Sequence, residues 1–334
     1  MEGAVFQELR IFSGNAQSEL AQSVCAYLEQ PLGECEVFQF HNENVFVRVG
    51  ENVRQRDVFV IQTMNSPVNT RIMELLIMID AMKRASAGRV TAVVPYYPYG
   101  RSDKKDQPRV PITARLLANL IETAGADRLL TMDLHAGQIQ GFFNIPVDEL
   151  TALFTISRYF RKKKLENLVV VATDVGASKR ARNVAQSLNA PLAIIEKRRM
   201  ANDDSSQVLN VIGEVSGRRA LIVDDEIDTG TTIINSAETL KEAGVTEVSV
   251  AATHAIFSDD AARRLHESEI DEVVVTDTIP LPPEKQFPEL EVLSIAELIG
   301  EAVSRIHTGR SIGELFEMNT SGTMAGALAS VSNT

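Results

Sequence analysis

Short apolar runs rich in Val, Ile, Leu and Phe alternate along this chain with longer segments whose apolar residues recur at helical spacing. No other feature limits the fold as much. The runs Leu9–Phe12, Asp57–Ile61, Arg89–Val94, Arg128–Met132, Leu168–Ala172, Leu192–Ile195, Ala220–Ile222, Glu247–Ala251 and Glu272–Thr276 read as strands. Helical spacing follows them to about Leu28 and over about Asn69–Ser86, Ile112–Thr123, Ala152–Lys163, Ala177–Leu188, Ile233–Ala243, Asp259–Glu267 and Ile295–Ile306. Strands that alternate with helices pair in parallel, because each helix carries the chain back to the start of the sheet, so the pattern predicts an α/β fold. Two places depart from it. Glu36–Phe40 and Val45–Val49, joined by His41-Asn42-Glu43-Asn44, read as a hairpin, and Gln207–Ile212 as a further hairpin strand. At 334 residues the chain exceeds one ordinary core and divides into two domains of about 150 residues.

Charge and composition narrow the function. A net charge of −12 with interspersed signs argues against binding nucleic acid or an anionic membrane surface. The two cysteines, Cys25 and Cys35, lack ligand-like spacing to histidines, so neither a disulfide framework nor a zinc site is indicated. The longest apolar run, near Leu75–Ile79, is far below spanning length, and the N-terminus carries no signal pattern. The expectation is a cytoplasmic protein.

In parallel α/β sheets ligands bind at the carboxyl ends of the strands, and four informative loops fall there. The richest is Val223-Asp224-Asp225-Glu226-Ile227-Asp228-Thr229-Gly230-Thr231-Thr232, between an apolar strand and the start of a helix. It is expected to form a tight loop. Backbone N–H groups, hydroxyls and the helix dipole would cradle a phosphate on Thr229, Gly230, Thr231 and Thr232, while Asp224 and Asp225 hold sugar hydroxyls directly or through Mg²⁺. The second loop, Tyr99–Arg109, is basic and bounded by prolines, and the third sets Asp133 beside His135. The last holds Asp174. His135, with Asp133 and Asp174 at the same edge, is a candidate contact for Mg²⁺ or a nucleotide phosphate. A basic loop at Glu196-Lys197-Arg198-Arg199 adds cations of the kind that stabilise charge on transferring phosphoryl oxygens. No Walker-type Gly-x-x-x-x-Gly-Lys-Ser/Thr run, Gly-x-Gly-x-x-Gly unit or Ser-His-Asp set accompanies them.

The acidic pair followed by Asp228-Thr229-Gly230 resembles the phosphoribosyl-pyrophosphate motif shared by type I phosphoribosyltransferases and ribose-phosphate pyrophosphokinases. Three further stretches separate the two families. Arg101–Asp106, Met132–Phe143 and Glu196–Arg199 resemble those of class I ribose-phosphate pyrophosphokinases in the same order, and the likeness runs from about Leu9 to Phe316. It implies two parallel-sheet domains of phosphoribosyltransferase type: 1–150 rejoined by 307–318, and 151–306, followed by a disordered tail at 319–334. It also implies transfer of the β,γ-diphosphate of ATP to the 1-hydroxyl of ribose 5-phosphate, with Mg²⁺, in a homo-oligomer from dimer to hexamer. By the same resemblance Lys197 and Arg199 are catalytic, and Phe40, Asn42, Asn44, Arg101, Ser102, Asp106 and His135 bind ATP. Asp224, Asp228, Thr229, Gly230, Thr231 and Thr232 hold ribose 5-phosphate, joined by Asp225 as the second carboxylate of the acidic pair, and His135 and Asp174 hold the metal, with Asp133 beside His135 as a further candidate ligand. Two alternatives stay open: a non-catalytic synthase-like regulatory subunit, whose mark would be loss of the basic-loop cations, and a type I phosphoribosyltransferase, which would not need the His135 and Lys197 loops.

Several positions depart from the family. Asn44 stands for the usual Glu and Ser102 for the usual Gln, which implies weaker ATP binding or looser nucleotide choice. Thr173–Ser178 lacks the family's Pro before Asp174 and its second Gly, and Glu226 and Thr231 replace Met and Gly. Gly137, Glu149 and Gly313 stand where a regulatory phosphate pocket usually has Ser, Asn and Ser, while Gln140 and Ser311 are kept.

Overall fold

In the computed structural model, which describes residues 8–199 and 207–315 and leaves aside the side chains of 197–199 and 207–209, the alternating runs become two sheets. The chain begins with β1 (Leu9–Ser13) and α1 (Ser18–Tyr27), then the antiparallel hairpin β2 (Cys35–Gln39) and β3 (Val45–Val49). It continues through β4 (Asp57–Ile61), α2 (Val68–Arg84), β5 (Arg89–Val94), α3 (Thr113–Ala124), β6 (Arg128–Met132) and β7 (Val147–Leu150). These strands form a five-stranded parallel sheet in the order β1-β4-β5-β6-β7, with the hairpin set apart against α2.

The second sheet follows from α4 (Leu153–Lys163), β8 (Leu168–Ala172), α5 (Ser178–Leu188), β9 (Leu192–Arg199), β10 (Gln207–Ile212), β11 (Arg219–Ile227), α6 (Thr231–Glu242), β12 (Glu247–Ala255), α7 (Ala261–His266), β13 (Glu272–Thr276), β14 (Leu290–Leu293) and α8 (Ala296–Thr308). Its order is β10-β9-β8-β11-β12-β13-β14, parallel except where β10 turns back on β9.

Alternate residues of each central strand serve different cores, which is why these strands read as unbroken apolar runs. Val58 and Val60 of β4 pack with α2 and α3, whereas Phe59 and Ile61 face a central cluster. Val169 and Val171 of β8 pack with α6, whereas Val170 and Ala172 face that same central cluster. Residues of α1, α4, α5 and α8 fill it, so these helices lie between the two sheets. The end of α8 is tied to the first sheet. Arg89 Nη2 donates to Ile306 O (3.0 Å), and His307 Nδ1 meets Asp57 Oδ2 at 2.9 Å. On these contacts we propose the division of the chain into 1–150 rejoined by 307–318, and 151–306. Residues 319–334, expected as a disordered tail, lie outside the described residues, as does Phe316.

The structure corrects four sequence expectations. β7 and β14 are edge strands with no counterpart in the reading of the chain; Asp148-Glu149 and Glu291 break their apolar pattern, and charge on an edge strand is common because one side has no strand partner. The basic loop at Glu196–Arg199 is strand, held in register by β10 from Glu196↔Asn210 to Arg199↔Gln207. β11 likewise continues through the acidic residues to Ile227, because β12 runs alongside it as far as Ile227↔Ala255. Only Asp228–Gly230 remains loop, with Thr231 and Thr232 in the first turn of α6.

Candidate active site

Both sheets direct the carboxyl ends of their strands at one cavity of about 260 Å³. From the first sheet come Arg101, after β5, and His135, after β6; from the second come Asp174, after β8, and Asp224 to Ile233 at the end of β11. The turn into α6 depends on Gly230. Its φ of +75° is left-handed and would strain any residue with a Cβ, and it is the cap position of the helix. The first N–H groups of a helix have no partner within it, so those following Gly230 face the cavity as an anion cradle. Arg264 Nη1 steadies the cradle from α7 by donating to Thr229 O (3.1 Å) and Thr231 Oγ1 (3.1 Å).

Behind the cradle the carboxylates are differentiated by their partners. Asp225 is buried, and its two oxygens meet His135 Nδ1 (2.7 Å) and Arg180 Nη1 (3.2 Å). Burial alone would raise its pKa, but the hydrogen bond from His135 and the charge of Arg180 outweigh it and hold the carboxyl below the usual range. Asp224 is shifted the other way. Burial, then the hydrogen bond and charge of Asp225, push it up, although Thr173 Oγ1 (2.9 Å) and the Asp225 N–H (2.9 Å) donate to it. The His135 ring is raised by its hydrogen bond to Asp225, against burial. In front, Arg101 bridges Glu226 (2.6 Å) and Asp228 (3.2 Å). Asp174 accepts the Ala177 N–H with one oxygen (2.8 Å), which caps the entry to α5, and its side chain is exposed at the cavity.

The expected residues divide accordingly. His135, Arg101, Asp174, Asp224, Asp225, Asp228, Thr229, Gly230, Thr231 and Thr232 come together. Asp225 is placed differently from the expectation, since its carboxylate is occupied by His135 and Arg180 rather than open to a sugar. Asp133 does not line the cavity: one oxygen of its carboxylate accepts from the Ala152 N–H (2.8 Å) and Thr253 Oγ1 (2.6 Å), 6% exposed, and so joins the sheets. Among the described residues the His, Asp and Glu donors within 4.8 Å of one another are His135, Asp225 and Glu226.

Phe40, Asn42, Asn44, Ser102 and Asp106 do not line the cavity. The hairpin tip is closed by Phe40 N–H to Asn44 O (2.9 Å) and packed by edge-to-face and tilted contacts among Phe38, Phe40 and Phe46, with Phe40 49% exposed. The backbone of Lys197 and Arg199 lies on β9, five residues of which extend past its last pairing with β8 at Ala172↔Ile194; their side chains are outside the described residues. Arg180, Arg264 and Thr173 were missed by sequence. Arg180 and Arg264 sit on helices as ordinary polar-face arginines, and only the fold brings them to acids and hydroxyls far along the chain.

Comparison with known proteins adds an independent line. A family model described as the N-terminal domain of ribose phosphate pyrophosphokinase matches residues 9–125, and one for the phosphoribosyl synthetase-associated domain matches residues 199–317. The chain is 51% identical over 309 residues to a ribose-phosphate pyrophosphokinase of Caldanaerobacter subterraneus, covering 92% of this chain and 98% of that one. It is 50% identical over 309 residues to another from Nostoc sp., covering 92% and 93%. Its backbone is similar to the crystal structure of phosphoribosylpyrophosphate synthetase from Mycobacterium smegmatis, with a TM-score of 0.86 and 43% identity over 91% of this chain and 100% of that one.

Proposed function

The chain belongs to the ribose-phosphate pyrophosphokinase family, and from that premise we propose how its cavity carries out the reaction. The enzyme is a diphosphotransferase: the 1-hydroxyl of ribose 5-phosphate attacks the β-phosphorus of ATP, the bond to the α-phosphate oxygen breaks, and phosphoribosyl diphosphate and AMP leave. The observation that carries the assignment of parts is the meeting of a helix N-terminus with carboxylates and an arginine from the other sheet. The 5-phosphate sits on Thr229–Thr232, where N–H groups and hydroxyls converge, and Asp224 and Asp228 take the ribose hydroxyls. Arg101 faces the ATP phosphates. Asp225 orients His135, leaving the other ring nitrogen toward the cavity. Lys197 and Arg199 stabilise charge on the transferring oxygens, since such transfer depends on positioning and cations more than on covalent chemistry.

A divalent cation fits the donor set. Asp174, Asp224, Asp225, Glu226 and Asp228 outnumber the cavity's own cationic groups, Arg101 and His135, and carboxylate oxygens are the ligands Mg²⁺ favours. Asp174, Asp224 and His135, which line the same cavity, would hold it. Bound there, Mg²⁺ would neutralise part of the ATP phosphate charge. Incubating the protein with ATP, Mg²⁺ and ribose 5-phosphate should yield AMP and phosphoribosyl diphosphate in equal amounts; no AMP above a no-sugar control would refute the assignment. Among the described residues no helix is long and apolar enough to cross a membrane.

The site also calls for a neighbour. Phe40, Asn42 and Asn44 reach nucleotide only if the hairpin enters the cavity of another subunit, and its exposed aromatic tip supports that. Light scattering at micromolar concentration should report a dimer to hexamer, and a fully active monomer would contradict the shared site.

Activation by inorganic phosphate should be weak or absent. Glu149 places a carboxylate where the family has Asn, and its oxygens already accept from the Leu134 N–H (2.9 Å) and from Gln140 Nε2. Gly137 and Gly313 supply no hydroxyl. A lost hydrogen bond to a charged group is worth about 1.5–3 kcal/mol, and about 1.4 kcal/mol is tenfold in affinity, so one loss is enough to move the response out of a useful range. A Cβ at Gly137 meets nothing within 4 Å, so Gly137→Ser combined with Glu149→Asn should restore the response. Initial rates at fixed free Mg²⁺ and ionic strength, with phosphate varied, measure both. Activity that is negligible without phosphate in the unaltered enzyme would contradict the prediction.

A further inference from the structure

Glu226 has a role that the functional assignment above leaves unused. It lies on β11, opposite His254 of β12, with its side chain only 9% exposed, and its carboxylate is 2.6 Å from Arg101 Nη2. The Arg101 side chain is 58% exposed and comes from a loop of the other sheet, and its second nitrogen reaches Asp228 Oδ2 at 3.2 Å. The two partners therefore differ in freedom. Glu226 is fixed by a buried strand, whereas Arg101 is a long side chain on a loop. When the pair opens, Arg101 moves and Glu226 stays.

We propose that Glu226 competes with the nucleotide phosphates for Arg101 and thereby sets the affinity for ATP. The inference rests on the reading of Arg101 as a contact of the ATP phosphates. With Nη2 turned to Glu226 and Nη1 to Asp228, the guanidinium charge and its orientation are already committed to two carboxylates, so a phosphate that aligns with both nitrogens draws Arg101 away from them. A largely buried carboxylate that loses its counter-ion is costly, so the nucleotide bears that cost in affinity. Arg180 does not relieve it, because its nitrogen is engaged with Asp225 and Asp224, and His135, though within 4.8 Å of the Glu226 carboxylate, is hydrogen-bonded to Asp225 and offsets only part of the cost. With Met at this position, as in the family this chain resembles, the contest is absent and only Asp228 holds Arg101.

Equilibrium binding of the Mg²⁺ complex of a non-hydrolysable ATP analogue to the intact protein tests this without reference to turnover. Glu226→Met and, as a smaller change that keeps the polar shape, Glu226→Gln should each tighten the analogue by about tenfold, the scale of one charge-assisted contact. In an Arg101→Ala background the same substitutions should change affinity by less than about twofold. Unchanged or weaker binding in both single variants would overturn the proposal. So would equal tightening with and without Arg101, which would mean that Glu226 acts only as a general negative charge. Failure to form AMP from ATP and ribose 5-phosphate would instead count against the proposed function, and the binding result would still read the Glu226–Arg101 competition.

Discussion

Lys197→Ala should lower kcat by a factor on the order of 10² or more while KM for either substrate changes little. A cation that meets charge developing on the transferring diphosphate is felt chiefly in the transition state, so its removal lowers turnover more than binding; the loss of one oxyanion donor, worth about 10²–10³, sets the scale. The backbone supports the assignment. β9 runs past its last pairing with β8 at the carboxyl edge of the sheet, where Asp174 and the α6 cradle also lie, so the backbone of Lys197, still paired with β10, is at the same edge as the cavity. Lys197→Arg should recover part of the loss, because the charge returns with a different donor geometry. Steady-state rates over both substrates decide it, and a near-normal kcat in Lys197→Ala would remove this residue from the mechanism.

Asp57→Ala should destabilise the fold by about 3–5 kcal/mol, the usual cost of leaving a buried charge without its partner, and lower the thermal midpoint by on the order of 10 °C. Asp57 opens β4 with no exposed side-chain surface, and it receives Arg89 Nε (2.8 Å), Arg89 Nη2 (2.6 Å) and His307 (2.9 Å). It thus fastens α8 to the first sheet. Burial opposes its ionisation, but the His307 and Arg89 contacts outweigh burial and hold its pKa below the ordinary 3.8. A carboxyl depressed in the folded state stabilises fully above its unfolded pKa and loses that contribution as pH falls through the folded value. The gap between wild type and variant should therefore be constant near neutrality and close below about pH 4. Thermal unfolding followed from pH 7 to 3 measures it. A gap that widened on acidification would contradict this account.

How far the sequence could be read depended on the range of each force. Strands such as Arg89–Val94, Arg128–Met132, Leu168–Ala172 and Glu272–Thr276 have the bounds expected of them, because a strand covered on both faces writes its burial directly into consecutive residues. The α6 cradle was equally legible. Gly230 and the threonines after it act through backbone conformation and helix ends, which are local properties. Edge strands β7 and β14 were not, since their charges mask the pattern and only a neighbouring strand fixes them.

The sequence by itself determined the two parallel sheets, the Gly230 turn into a helix N-terminus and the set of acids, arginine and histidine that surround it. Tertiary structure alone decided what each of those groups does. Asp224 and Asp225 are adjacent, yet one faces Thr173 and the cavity while the other is taken by His135, 90 residues away, and by Arg180. Asp133, two residues before His135, turns to Thr253, 120 residues away, and leaves the site. The reason is that a charge acquires its role from whichever counter-charge packs beside it. Those partners come from different sheets, so no local pattern in the chain encodes the choice.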